Sequence, residues 1–432
     1  MNPKAISFLL KSFLLTAATA WHPAMAQTSE AQADVKALTS KPAYQAMVAT
    51  MKAEHERIVD ENIMLQQVPA PSFKEAEKAR LFAKLLRQSD DTLDISIDPA
   101  GNVLALRRGT GGGLDVVAVV THMDTVFDEK TSLEIKREGT FIKAPGILDN
   151  SRGMSSSLAI IRAMKAAKAR TRDNILFVGS VGEEGLGDLK GVKYLFLQGP
   201  YKGRIKAMIA VDSGFPEQIV YKAAGSKRYE VRYRGPGGHS YRAFGGVSPA
   251  YALAGAIDRI GKIKVPQGTT YSVGVIGGGT SVNVIPGEAW MQVDMRSASN
   301  DDLKRLESAF LDAVKRAAED ENAARSTTNG VIETNVKLLG DRPSGNTPSD
   351  HRMVQIALAA SASQGWKPKL DSGSTDSNIA MSLSIPAITV AEGVGNYNHS
   401  LREYLDIEPA QSLRALQLPL ISILDTAQWQ DD

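Results

Sequence analysis

The side chains able to do chemistry in this chain are histidines and carboxylates, because it contains no cysteine. That excludes thiolate metal sites, disulfides and a lipid-anchored cysteine. The apolar run 116–120 ends abruptly in Thr121-His122-Met123-Asp124. Such a run reads as a buried strand that delivers an imidazole and a carboxylate to the rim of a sheet, where open α/β sheets bind their ligands. A single His/Asp pair is more often an ordinary hydrogen-bonded pair than a metal site, so the other acids decide. Asp149 lies in a loop before a helix, Glu183 and Glu184 follow the apolar run 174–179, and Asp212 ends the run 207–211. Each has a bland reading as a cap or a solvated charge, but a doubly wound sheet brings them to one rim. Acids crowded around a histidine without lysine or arginine repel one another, and divalent cations relieve the repulsion. Oxygen and imidazole donors without sulfur suit zinc, cobalt or manganese. In an adjacent Glu-Glu pair one carboxylate can bind metal while its neighbour takes a proton from water, which is metal-assisted hydrolysis.

The elements that must position these residues fall into two patterns. Spaced apolar residues predict helices over 44–67 and 72–87, a strand-turn-strand hairpin over 93–106, a small-residue helix over 154–167, and buried strands at 174–179 and 207–211. Strands alternating with helices imply a mostly parallel, doubly wound sheet. After Tyr221 the character changes. A strand at 229–234, a helix from Ser248-Pro249 to Ile260, strands at 271–276 and 288–295, an amphipathic helix at 300–319 and a strand at 331–338 follow in β-α-β-β-α-β order. That is the ferredoxin-like arrangement. A helix at 350–362, a strand near 385–391 and a helix from Pro409 return to the first pattern. The expected organisation is therefore a catalytic domain in two parts, 44–223 and 340–432, with a ferredoxin-like domain inserted at 224–339.

Composition narrows the partner. With 432 residues and 43% apolar content the chain can fill two cores. Fifty basic against 48 acidic residues give a formal charge of +2, which draws the protein to neither nucleic acid nor a membrane surface. The partner is then small. Lys4, an apolar stretch interrupted by Lys11, and Ala24-Met25-Ala26 before Gln27 read as a signal peptide over 1–26, cleaved near Ala26-Gln27. Lys11 breaks the run too early for a membrane anchor. The protein is expected to be secreted, to the periplasm, without stable membrane insertion, and residues 27–43 to be disordered by their polarity.

Taken together, His122-x-Asp124, Asp149, Gly182-Glu183-Glu184, Val211-Asp212, Gly237-Gly238-His239-Ser240, Asn283-Val284-Ile285-Pro286 and Asn398-His399-Ser400 resemble the co-catalytic zinc exopeptidases. That family includes peptidase T, bacterial glutamate carboxypeptidase, the aminoacylases and the acetylornithine deacetylase-like enzymes. The resemblance runs from about Tyr44 to the C-terminus, and the segment after Glu183 leans toward the peptidase T and glutamate carboxypeptidase branch. It implies two zinc ions, with cobalt or manganese as alternatives. Asp149 would bridge them, with His122 and Asp212 on one and Glu184 and His399 on the other. Glu183 would be the general base, Asp124 would orient the His122 imidazole, and a cis peptide bond would follow Asp149. The inserted domain would act as a lid and dimerisation domain, His239 crossing a homodimer interface to stabilise the oxyanion. Asn283 and Arg296 match substrate-binding positions, an arginine fork being suited to a carboxylate. The loop 372–376 takes the place of a glycine-rich substrate loop, though with fewer glycines.

The function expected from this is exopeptidase hydrolysis of short peptides. The alternatives are an amidohydrolase of N-acyl amino acids and a binding protein of the same fold without chemistry. The presence of all five ligands and of Glu183 argues against the last. His55 and His351 read as surface or capping residues. The serines 155–157 lack the strand-elbow setting of a nucleophile.

Overall fold

The computed structural model describes residues 29–212 and 214–430, and the signal peptide with its cleavage point lies outside them. Among the described residues, a nine-stranded sheet forms the larger unit. Its centre is parallel: Asn174–Ser180, Val116–His122, Ile205–Val211 and Ala387–Val390 lie side by side in that order. Asp94–Ile97 and Val103–Arg107 add an antiparallel hairpin at one edge, and on the other side Gln218–Ala223 lies antiparallel to Ala387–Val390 and is followed by Gly345–Asn346 and Lys369–Gly373. Every residue of Val116–His122 is buried, as continuous apolar runs in a sheet covered on both faces must be. Register then does the assembling. His122 pairs with Ser180, and Val211 with Val390, so the residues that follow these strands emerge together at one rim.

The helix Ser151–Ala166 packs beneath that rim, its small side chains Ser155, Ser156 and Ala159 fully buried. The side chain of Asn150 accepts from the Gly153 amide at 3.0 Å and donates to the Val211 carbonyl at 2.9 Å. This ties the loop carrying Asp149 to the strand carrying Asp212. Gly153 is required by close approach: a Cβ there would sit 2.1 Å from Asn150 Oδ1 and 2.6 Å from the Val211 carbonyl oxygen.

The smaller unit is a four-stranded antiparallel sheet in the order Thr269–Gly278, Glu288–Ser297, Gly225–Arg234, Glu333–Arg342. Alternation sets its two faces. Tyr229, Val231, Tyr233, Met291, Val293 and Met295 bury themselves against the helices Pro249–Ile260 and Asn300–Ala324, while Arg228, Asp294 and Arg296 point the other way. The fold is the mixed α/β architecture with an inserted ferredoxin-like unit that the element order implies.

Three expectations need correction. Residues 29–39 form a helix rather than disordered chain, because Ala31 and Val35, one turn apart, insert into the main core that Tyr44, Met47 and Met51 of the next helix also fill. The helix expected over 44–67 is two, Pro42–Ala53 and His55–Gln66, meeting at Glu54. The last strand of the inserted sheet runs on to Arg342, past the boundary expected at 340, and those extra residues reach the site. No described helix is long and apolar enough to cross a membrane.

Candidate metal centre

Asp149 is the hub. Its Oδ1 lies 2.9 Å from His122 Nε2, which is itself 3.8 Å from Asp212 Oδ1. Its Oδ2 lies 3.1 Å from His399 Nε2, which is 2.8 Å from Glu184 Oε1. One carboxylate thus faces two imidazoles, each with a second acid. Ligand atoms of His122, Asp149 and Glu184 all fall within 4.8 Å of one another. Asp149 Oδ1 is buried and takes part in no well-directed hydrogen bond, which suits an oxygen whose lone pairs point at a cation. The peptide bond from Asp149 to Asn150 is cis. These donors fit divalent metal ions, two sets of one imidazole and one acid about a shared carboxylate.

The electrostatics say the same. Burial disfavours a charged His122, yet Asp124, Asp149 and Asp212 outweigh it and raise its pKa well above the ordinary value. Hydrogen bonds to Asp149 and Glu184 push His399 up to about 11. Protons there occupy the place of cations. His399 and Tyr397 both hold left-handed backbone, φ 63° and 62°, uncommon for non-glycine residues and concentrated at functional sites.

Asp124 does more than its expected part. The nearest partner of His122 Nδ1 is the Asp124 backbone carbonyl at 3.0 Å, with the carboxylate 3.7 Å away. That carboxylate also accepts from Ser72 Oγ at 2.6 Å and from the amides of Glu183 and Glu184, both at 2.9 Å. Two amides and a hydroxyl fix it more firmly than one imidazole, so it positions the Glu183-Glu184 turn. Glu403 does the same for the Asp149 loop, accepting from the amides of Gly146, Leu148 and Asp149 at 2.8–3.0 Å. Burial, with Asp149 nearby, pushes Glu403 up to about 7.

Glu183 is buried beside this centre. Arg342 Nη1 donates to its Oε1 at 3.0 Å and to Ser374 Oγ at 3.2 Å, while Nη2 donates to the Glu183 carbonyl. Burial raises the pKa of Glu183 well above the ordinary value although Arg342 opposes it, a direction useful to a proton carrier. Asp376, from the loop 372–376, accepts from Ser180 Oγ at 2.5 Å, and burial pushes it up to about 7. Arg342, Glu403 and Ser72 were not singled out from the sequence, and Asp376 was read only as part of the loop 372–376. Arg342→Met should destabilise the metal-free protein by about 3–5 kcal/mol, because it leaves a buried carboxylate unpaired. Urea denaturation of both proteins measures it; equal midpoints would count against the ion pair.

The cavity over these residues has a volume of about 420 Å³ and is lined by His122, Asp149, Glu183, Glu184, Asp212 and His399, and by Arg228, Arg296, Arg342 and the loop 371–375. Arg296 lines this cavity. His239 and Asn283 are not among the residues lining it. His239 lies in the segment Gly238–His239 and Asn283 just before its paired segment Val284–Ile285, and both are exposed. His351 caps the helix Arg352–Ser363, its Nδ1 accepting from the Met353 amide at 3.2 Å.

Comparison with known proteins agrees with this geometry. Residues 221–322 match the Peptidase dimerisation domain and residues 102–234 match Peptidase family M28. An acetylornithine deacetylase from Myxococcus xanthus is 26% identical over 334 residues, covering 72% of this chain and 82% of its own. The aminopeptidase PepT of Bacillus cereus superposes with a TM-score of 0.67 at 23% identity, covering 86% of this chain and 99% of its own. YXEP of Bacillus subtilis, described as a dinuclear metal-binding peptidase of the M20 family, gives 0.62 at 19% identity, covering 86% and 99%. With those domain matches, that fold and that cluster of donors, the chain is a metal-dependent hydrolase, similar in fold and domain make-up to the co-catalytic metallopeptidases and deacylases that its motifs resemble.

Proposed function

We propose that the protein is a secreted, periplasmic dizinc exopeptidase that hydrolyses the amide bond of short peptides, with Glu183 as general base. The observation that carries this is the two-sided grouping about Asp149 with a buried carboxylate, Glu183, beside it. His122 and Asp212 would hold one ion, His399 and Glu184 the other, and Asp149 both. When bound, the ions supply Lewis acidity and make a water acidic enough to attack at neutral pH. Glu183 takes the proton from the attacking water and returns it to the leaving amine, so the proton count closes without another group. Asp124 and Glu403 hold the two loops so that Glu183 need not reorganise between these steps.

A homodimer through the inserted unit belongs to the same proposal. His239 and Asn283 are exposed on adjoining segments with Tyr241, Phe244 and Val282, all largely exposed. An apolar surface of that kind, bearing a histidine, supports donation of His239 and Asn283 to a partner subunit's cavity.

A second reading, hydrolysis of N-acyl amino acids, is favoured by the acetylornithine deacetylase relative. Incubating the two-metal protein with a panel of di- and tripeptides and N-acyl amino acids, and identifying the products, separates the two. Peptide cleavage from one end supports the exopeptidase. Release of acyl groups alone supports the second reading. Cleavage of nothing, with both metals bound, would overturn both.

A further inference from the structure

The hairpin of Lys136–Glu138 and Phe141–Lys143 pairs with the strand Tyr404–Asp406, which pairs in turn with Gly395–Asn396. The loop that joins those last two segments carries His399. A second cavity, of about 810 Å³, is lined from this small sheet and that loop. None of the five metal donors lines it, nor does Glu183. Its walls still belong to the metal loops. Tyr397, Leu401 and Arg402 flank His399, and Ala144 and Pro145 lead into the segment 146–149 that ends in Asp149.

Three rings meet here. Tyr404 stands edge-on to Phe141 with centroids 5.3 Å apart, and its ring lies 6.0 Å from that of Tyr397. Phe141, Tyr397 and Leu401 are exposed, so this apolar surface is left uncovered in the way ligand cavities leave theirs. The charges add a preference. Lys136, Lys143 and Arg402 face Glu134 and Glu138, an excess of one positive charge. Lys143 is paired with Glu138 at 2.5 Å. Among the described residues, Lys136 and Arg402 have no acid within ion-pair distance. Arg402 lies over the face of Tyr397 at 4.5 Å, which holds the guanidinium at the cavity and leaves its N–H groups for an anion.

We infer that this cavity is a second binding site, separate from the metal cavity, for a small molecule that joins an aromatic ring to one carboxylate, and that it is coupled to the metals through the His399 loop. The ring packs among Phe141, Tyr397 and Tyr404, and the carboxylate meets Arg402 and Lys136. Coupling follows from the backbone. Tyr397 and His399 both hold left-handed conformations, which persist only where the surroundings impose them. A ligand on Tyr397 and Arg402 and metal ions on His399 impose the same loop, so each lowers the ordering cost of the other. The coupling rests on the dinuclear reading above, whereas the cavity does not.

The probe is 3-phenylpropionate, with the neutral 3-phenylpropanol as control, titrated calorimetrically into metal-loaded and metal-free protein. Wild type should bind one acid per chain, about tenfold to a hundredfold tighter than the alcohol, the range of a charge-assisted hydrogen bond. Arg402→Gln and Lys136→Glu should each weaken the acid and leave the alcohol unchanged, while Phe141→Ala should weaken both. Should Phe141→Ala fail to fold, Lys136→Glu, on an exposed strand, carries the test. Metal loading should tighten both probes about fivefold or more, the low end of ordinary coupling. A gain confined to the acid would mean that its carboxylate sits on the metals, and it overturns the coupling, as would no gain at all. Equal affinity for acid and alcohol, or no saturable binding, overturns the site. Displacement of the probe by a cleaved peptide overturns its separateness. If elemental analysis finds no metal taken up, the dinuclear reading fails, and the metal-free titration still decides the site.

Discussion

Glu183→Gln should lower kcat by about two to four orders of magnitude, the usual worth of a positioned general base, while the protein keeps its metal. Glutamine has nearly the shape of glutamate and its amide oxygen can still accept from Arg342, so the 3.0 Å contact with that guanidinium survives. What it lacks is the ability to take a proton from water and hand it to the leaving amine. Glu183 is 4% exposed, so bulk water cannot readily stand in. Steady-state kinetics with elemental analysis of the same preparations gives both numbers. A loss of less than tenfold at full metal content would remove Glu183 from proton transfer.

Asp149→Ala should abolish activity by a different route, through loss of the metals. The two oxygens of Asp149 are the only ones among the described residues within about 3 Å of both imidazoles, 2.9 Å from His122 and 3.1 Å from His399. Removing them takes the shared donor from both halves at once, leaving each with one imidazole and one acid, too few for a closed site. Dialysed protein should hold fewer than one ion per chain, and added zinc should no longer raise its Tm, because a ligand stabilises only what it binds. Wild type should show that rise. Retention of two ions by the variant would show that Asp149 is not shared.

Much of this was legible in the sequence because strand ends are legible. His122 and Asp212 close apolar runs, so their place at the rim follows once the runs are strands of one parallel sheet. Glu183 and Glu184 come three and four residues after Asn174–Ser180 by the same logic. Arg342 and Glu403 were not legible, because their work is done across the fold. Arg342 meets Glu183 from 159 positions away and Glu403 meets the Asp149 amide from 254, and neither local pattern nor burial preference marks such a partner. The Asp124 carboxylate was read only as a partner of His122, whereas two backbone amides and Ser72, from turns far along the chain, share it. Residues 29–39 read as disordered because an apolar stripe as narrow as Ala31 and Val35 gives little periodicity. Tertiary contact stabilises that helix. That His239 and Asn283 lie beside each other, on adjoining segments, was not legible, because the pairing of Gly238–His239 with Val284–Ile285 joins residues far apart in sequence.

The most direct measurement of the dinuclear centre is anomalous diffraction from crystals grown with zinc. Two peaks are expected, one between Asp149 Oδ1, His122 and Asp212, the other between Asp149 Oδ2, His399 and Glu184. A single peak, or none, in crystals whose enzyme cleaves amides would contradict it.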